Sequence, residues 1–242
     1  MTRIDGSIEA ALADGRSALT ESEAKRLVAD RGVAIPEGET IDSPDEAVEA
    51  AERIGYPVVA KVASSAVHHK SEWADGAGVV VGLEDAGSVR TAAEQIFEAA
   101  DERDLKATVL IEEGVDLEAG LEVIVGGTRD PSFGPTVVVG LGGIAVEVLR
   151  DVSHRIAPIS IAEAVEMTRE LEASPLFDDY RGAPAVDRAA VAEAVVAVGD
   201  LLVEHEEIGE LEVNPLLARS DDAVALDALV TLESNDVADA KN

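Results

Sequence analysis

Alternating stretches of apolar and polar residues divide the chain into short elements of two kinds. "LTESEAKRLVADRG" opens on Thr20, carries Glu23 three residues on and closes at Gly32, the pattern of a helix with a capping box at its start. "SPDEAVEAAERIG" repeats the design, with Ser43 as N-cap, Pro44 in the first turn, Glu46 in the reciprocal position and Gly55 past the end. "YPVVAKVA" and "GVVVGL" at 78–83 are short apolar runs and predict buried strands. "DAGSVRTAAEQIFEAADERD" predicts a helix and "KATVLIEEGV" a strand. In "GLEVIVGGTRDPSFGPTVVVGLGG" two β-branched runs flank "RDPSFGP", a hairpin signal. "IAVEVLRDVSHRIAPI" reads as extended, helices are expected at about 160–172 and 187–205, and the chain closes on strand, turn and strand. Helices and strands mix without strict alternation, and hairpins join several strands. That pattern favours an α+β fold with antiparallel sheet over a doubly wound one.

Charge changes the picture of the surface. Against 50 acidic residues stand 19 basic ones, a formal net charge of −31, and the acids recur along every predicted helix. Such self-repulsion is relieved by salt, which shortens the Debye length to about 3 Å at 1 M. The composition therefore reads as that of a protein in a salt-rich cytoplasm. A nucleic-acid partner is disfavoured, since phosphate backbones need a basic surface and bases need aromatics to stack on, and only 2% of residues are aromatic. There is no cysteine, so thiolate metal sites and disulfides are excluded. No run of about 18 apolar residues predicts a membrane span, and the N-terminus does not read as a signal peptide.

Scarce basic groups gather in "KVASSAVHHKSEWADGAGVVVG", residues 61–82, which holds two of the five lysines and two of the four histidines. Lys61 ends the apolar strand "PVVAK". A strand lysine can simply snorkel to the surface, but the loop that follows points elsewhere. Gly76 and Gly78 let backbone N–H groups come close to an anion, and Lys61 with Lys70 supplies positive charge. Together they suit a polyphosphate. No G-x-x-x-x-G-K-[ST] sequence is present, which argues against a P-loop. The glycines Gly140, Gly142 and Gly143 follow a strand as in a dinucleotide fingerprint, yet "IAVEVL" behind them is β-branched where a helix is needed. Near the C-terminus, "ELEVNPL" puts Glu210, Glu212 and Asn214 on one face of a strand. Asp227 in "ALDAL" lies in an apolar run, where an unpaired carboxylate is costly. An amide carbonyl and a carboxylate on neighbouring strands are hard oxygen ligands, suited to Mg²⁺ carrying phosphates.

A strand lysine, a glycine loop and a distant Asn/Asp pair without a P-loop describe an ATP-grasp site. The motifs "ESEAK", "IGYPVVAK", "HKSE", "RDPSFGPTVVVGLGGI", "YRGAP", "EVNPL" and "ALDA", in this order, make the chain resemble the β subunits of ADP-forming acyl-CoA synthetases, the acetate–CoA ligase type related to succinyl-CoA synthetase. The resemblance runs from about Leu19 to Glu233. It implies an ATP-grasp fold of two α/β subdomains, with largely antiparallel sheets clasping ATP or ADP. The expected organisation is an N-terminal extension at 1–18, an ATP-grasp domain at 19–235 with subdomains near 57–113 and 114–235, and a tail at 236–242.

Carried over residue by residue, the resemblance makes Lys61 a phosphate-binding lysine, with the charge of Lys70 beside it, and the loop at Gly76 and Gly78 a cover for the phosphates. Glu112, Glu113 and Val115 fall at the hinge beside adenine and ribose, with Glu122 near the nucleotide. Asn214 and Asp227 become Mg²⁺ ligands, and His69 the histidine that relays the phosphoryl group. His68 is read as a neighbour without chemistry, His154 as either structural or functional, and His205 as a cation that suits a helix C-terminus. The implied reaction converts ATP, an acid and CoA into ADP, phosphate and acyl-CoA through a phosphohistidine. It needs a separate α subunit carrying the CoA-binding and phosphohistidine domains, in a heterotetrameric cytoplasmic enzyme. A freestanding ATP-grasp ligase that makes an acyl phosphate, and a nucleotide-sensing subunit without turnover, are the alternatives.

Overall fold

A computed structural model describes residues 3–67, 70, 72–142, 151–182 and 184–233. Its contacts divide the chain into two compact units. One comprises Thr20–Ser22 and Pro36–Asp116; the other comprises Met1–Leu19, Glu23–Ile35 and Leu117–Asn242. Among the described residues no helix is long and apolar enough to cross a membrane.

The smaller unit is a four-stranded antiparallel sheet in the order β1-β4-β2-β3, formed by β1 (Gly38–Ile41), β2 (Val58–Ala63), β3 (Val79–Leu83) and β4 (Thr108–Glu113). Two helices, α3 (Pro44–Ile54) and α4 (Ala86–Asp101), pack on it. Their small residues, Ala47, Ala50 and Ala51 in α3 and Ala92 and Ala93 in α4, are fully or almost fully buried. They meet Val58, Ala60 and Val62 of β2 and Val109 and Ile111 of β4. The strand period of two therefore aims the even-numbered residues of β2 into this core and leaves Lys61 on the opposite face. Local chemistry sets the helix starts. Ser43 accepts a hydrogen bond from the N–H of Glu46 at 3.3 Å, and Asp85 with Ser88 closes a reciprocal capping box at α4.

The larger unit holds a six-stranded sheet in the order β10-β8-β5-β6-β7, with β9 on β8. Its strands are β5 (Leu121–Asp130), β6 (Gly134–Leu141), β7 (Val152–Ile156), β8 (Ile208–Ala218), β9 (Ala223–Ala225) and β10 (Ala228–Leu232). The predicted hairpin joins β5 to β6, and Asp130 shapes its turn by accepting hydrogen bonds from the N–H groups of Ser132 and Phe133. Helix α5 (Ile161–Glu170) packs beside α6 (Arg188–Glu204), which lies against β5, β6 and β8. Helix α6 buries Val191, Val195, Val198, Leu201 and Leu202 together with Ala192, Ala194 and Ala197, so apolar residues occupy most of its circumference, as a central helix requires. Arg129 donates to the carbonyls of Leu202 and His205 and places a cation at the C-terminus of α6. Residues 1–18, expected as an extension, carry α1 (Arg3–Ala13), whose Ile8 and Ala11 are buried in the core of this unit beside Leu27 and Val28 of α2 (Glu21–Ala29).

The glycine triplet has a packing explanation where it is described. A Cβ on Gly140 would sit 2.7 Å from the Val152 side chain and 2.8 Å from the Asp151 carbonyl. The N–H of Gly142 donates to the Glu122 carbonyl at 2.8 Å. These glycines let neighbouring backbone approach. Gly143 and the "IAVEVLR" stretch lie outside the described residues.

Candidate functional site

Lys61 lies inside β2, two residues from its end rather than at the end, between Val79 of β3 and Leu110 of β4. Glu112 stands opposite Val59 in the same ladder, so on one sheet face Lys61 and Glu112 are diagonal neighbours. Their charged ends meet at 2.9 Å. Glu21, the first residue of α2, adds a carboxylate that lies 2.7 Å from the Lys61 ammonium and 3.1 Å from that of Lys70. The side chains of Lys61, Lys70, Glu21 and Glu112 are 11%, 9%, 1% and 4% exposed. Two lysines and two glutamates thus form a buried cluster of paired charges within the smaller unit. Buried charges of this kind are tolerated only when paired. Lys61 is held inside the cluster, not extended along the surface.

The loop that delivers Lys70 is held by its own backbone. A Cβ at Gly78 would fall 2.1 Å from the Lys70 carbonyl oxygen, and the Gly78 carbonyl accepts from the N–H of Val62 at 2.8 Å. Between these points runs a single 3-10 turn, Trp73–Gly76, with Ala74, Asp75 and Gly76 at positive φ. Gly76 at +96° suits a residue without a Cβ. Gly78, read from sequence as a cradle for an anion, has a second reason to be glycine: close contact with the Lys70 backbone. His68, His69 and Ser71 lie outside the described residues.

The expected hinge falls where the chain leaves the smaller unit after Asp116. Glu113 is exposed at the end of β4, Gly114 donates to the Pro57 carbonyl at 2.9 Å, and Val115 follows half-buried. The Glu112 side chain is committed to Lys61, so of the two glutamates only Glu113 presents its carboxylate outward.

In the larger unit, β8 buries Leu211 and Val213 and turns Glu210, Glu212 and Asn214 to the other face. The Asn214 amide nitrogen donates to Glu212 at 2.9 Å, which leaves the amide oxygen as the outward acceptor. The backbone N–H of Asn214 donates to the Asp227 carbonyl at 3.2 Å. Asp227 lies between β9 and β10, not within the strand that the apolar run predicts, and the cross-strand bond brings it beside Asn214. Glu122, on β5, pairs with Leu217 of β8 in the same sheet. Among the described residues no three His, Asp or Glu side chains gather into a metal cage. The Asn214 amide oxygen and a carboxylate oxygen of Asp227 would be two hard oxygens. That number fits an ion which keeps its remaining positions for phosphate oxygens and water, as Mg²⁺ does.

Among the described residues, two buried charged residues escaped the sequence reading, Glu21 and Lys25. Lys25 is 1% exposed and donates to the carbonyl of Leu226, the neighbour of Asp227, at 3.2 Å. Both lie in "ESEAK", where a capped helix explains the sequence well enough without burial. The signal available was the rarity of lysine: one of only five stands in that motif.

The fold and these residues define an ATP-grasp protein, and the profile of the ATP-grasp domain matches residues 10–232. The chain is 41% identical to the beta subunit of acetate–CoA ligase [ADP-forming] I of Pyrococcus furiosus, over 93% of this chain and 96% of that subunit. Among solved structures it is similar to acetyl-coenzyme A synthetase 1 of Ca. Korarchaeum cryptofilum in complex with coenzyme A and Ca-AMPCP. The TM-score is 0.87 at 38% identity, covering 93% of this chain and 98% of that one. A second complex of that enzyme, with coenzyme A and Mg-AMPPCP and with its phosphohistidine segment pointing towards the nucleotide site, matches at 36% identity with a TM-score of 0.82. The chain belongs to the family of ADP-forming acetate–CoA ligase beta subunits.

Proposed function

We propose that this chain is the nucleotide-binding subunit of an ADP-forming acetate or acyl–CoA ligase. With an α subunit that supplies the CoA-binding and phosphohistidine domains, it converts ATP, acid and CoA into ADP, phosphate and acyl-CoA. The observation that carries this reading is the buried Lys61–Glu21–Lys70 cluster: a chain of net charge −31 places two of its five lysines on one carboxylate. Lys61 and Lys70 offset the phosphate charge, while Glu113, Val115 and Glu122 hold adenine and ribose. Asn214 and Asp227 hold Mg²⁺, which when bound would screen the phosphate charge during transfer. The γ-phosphoryl group passes from ATP to an imidazole nitrogen and ADP leaves. His69 is assigned as the relay by family resemblance, and a neutral imidazole is a competent nucleophile near pH 7.

The test is reconstitution. The chain alone should bind Mg-ADP and make no acetyl-CoA, and addition of the α subunit should start turnover with acetate, CoA and Mg-ATP. Turnover by the chain alone would indicate the freestanding ligase. Binding with no phosphoryl transfer to any partner would indicate a nucleotide-sensing subunit.

A further inference from the structure

We infer that Glu21 is a positioning residue for phosphoryl transfer, one that gives up nucleotide affinity to hold two lysines in register; the inference rests on the function proposed above. The cluster's cations arrive from different elements. Lys61 is fixed by the ladders of β2, whereas Lys70 comes from a loop whose ends are set by the Gly78 contact. Two ammonium groups brought this close repel each other. One Glu21 oxygen faces each of them, at 2.7 and 3.1 Å, and the carboxylate is almost wholly shielded from water at 1% exposure. Glu112 already gives Lys61 an anionic partner at 2.9 Å. Glu21 is the carboxylate that reaches both ammonium groups.

The same carboxylate must repel a phosphate that approaches these lysines. Its charge therefore opposes nucleotide binding, while its geometry sets where both cations stand when the phosphoryl group moves. A displacement of about 1 Å at such a site can cost about 10²-fold in rate. A residue that merely stabilised the unit would, on removal, weaken binding and fold together. Glu21 should separate the two.

The experiment compares wild type, Glu21→Gln and Glu21→Asp in the complex with the α subunit. It measures kcat and the KM for Mg-ATP, together with the Kd of the full chain for Mg-ADP. Glu21→Gln removes the charge and keeps the shape. It is expected to lower kcat about 10- to 100-fold while Kd stays equal or tightens several-fold. Glu21→Asp keeps the charge but is one methylene too short to face both ammonium groups from the same helix start. It is expected to lose kcat comparably while leaving Kd near wild type. Fluorescence of Trp73, the only tryptophan, reports whether the smaller unit is folded. Should Glu21→Gln fail to fold, Glu21→Asp decides the matter by its kcat. A kcat within twofold of wild type in a folded variant overturns the inference. So does a Kd weakened in step with kcat and melting temperature, the mark of a structural role alone. Failure of the wild type to bind Mg-ADP would instead overturn the nucleotide-binding function itself.

Discussion

Replacing Lys61 by Met tests whether the buried cluster is a real charge balance. The substitution keeps an unbranched side chain as far as Cε and removes the ammonium group. It takes a cation from Glu112, 4% exposed at 2.9 Å, and from Glu21, 1% exposed at 2.7 Å, and leaves both carboxylates buried without it. Breaking a buried pair costs about 3–5 kcal/mol, because the remaining charge stays desolvated without its partner. An exposed pair would cost only about 0–1 kcal/mol. With a urea slope of about 2 kcal/mol per M, a loss of about 4 kcal/mol lowers the midpoint by about 2 M. Trp73 packs against the core of the smaller unit and lies 5.6 Å from the Arg103 guanidinium, so its fluorescence reads that unit's transition. The double variant Lys61→Met/Glu112→Gln removes one charge of each sign and should recover most of the midpoint while remaining inactive. A single variant whose midpoint stays within a few tenths of a molar of wild type would refute the buried cluster. A double variant no more stable than the single would refute the electrostatic origin of the loss.

Other predictions follow from single observations. Gly78→Ala forces a Cβ against the Lys70 carbonyl 2.1 Å away; it should cost about 1–3 kcal/mol as overpacking does and weaken Mg-ADP binding by moving Lys70, both measurable by denaturation and calorimetry. Asp227→Asn should reduce turnover about 10²-fold and raise the Mg²⁺ concentration needed for half-maximal rate; an unchanged Mg²⁺ dependence would remove Asp227 from the metal site. Asp85 is held below its usual pKa by hydrogen bonds from Ser88, and Glu163 likewise by Ser160. For carboxyls lowered on folding the unfolded chain binds more protons, so their contribution is complete above the unfolded values of about 4 and fades as pH falls through the folded ones. Asp85→Asn should therefore flatten the decline in melting temperature below about pH 4, and an unaltered acid limb would count against this linkage. Finally, a net charge of −31 should make the melting temperature rise from low salt to molar KCl, since screening relieves self-repulsion; equal melting temperatures would show that the acids are locally compensated.

Much of the fold was legible because its determinants act over three or four residues. Ser43 caps α3, Asp130 shapes the β5–β6 turn, and the alternation through "ELEVNPL" turns Asn214 and Glu212 to one face, each as the local pattern implied. The same locality made Lys61 and Asp227 readable as polar residues in apolar runs, and Asn214 by the period of its strand. Tertiary structure decided what those residues face. The cluster joins residues 21, 61, 70 and 112, which no periodicity relates, because strand pairing and the start of a helix bring them together. Glu21 looked like an ordinary first-turn glutamate, and Glu112 like a strand-end residue at the hinge. Gly78 looked like an anion cradle until the Lys70 carbonyl took the space a Cβ would fill. Burial turns each of these from a surface charge or a flexible link into a constraint, because desolvated charges must find partners and close-packed backbone leaves no room. Burial depends on which distant segments meet, and that is decided only when the whole chain has folded.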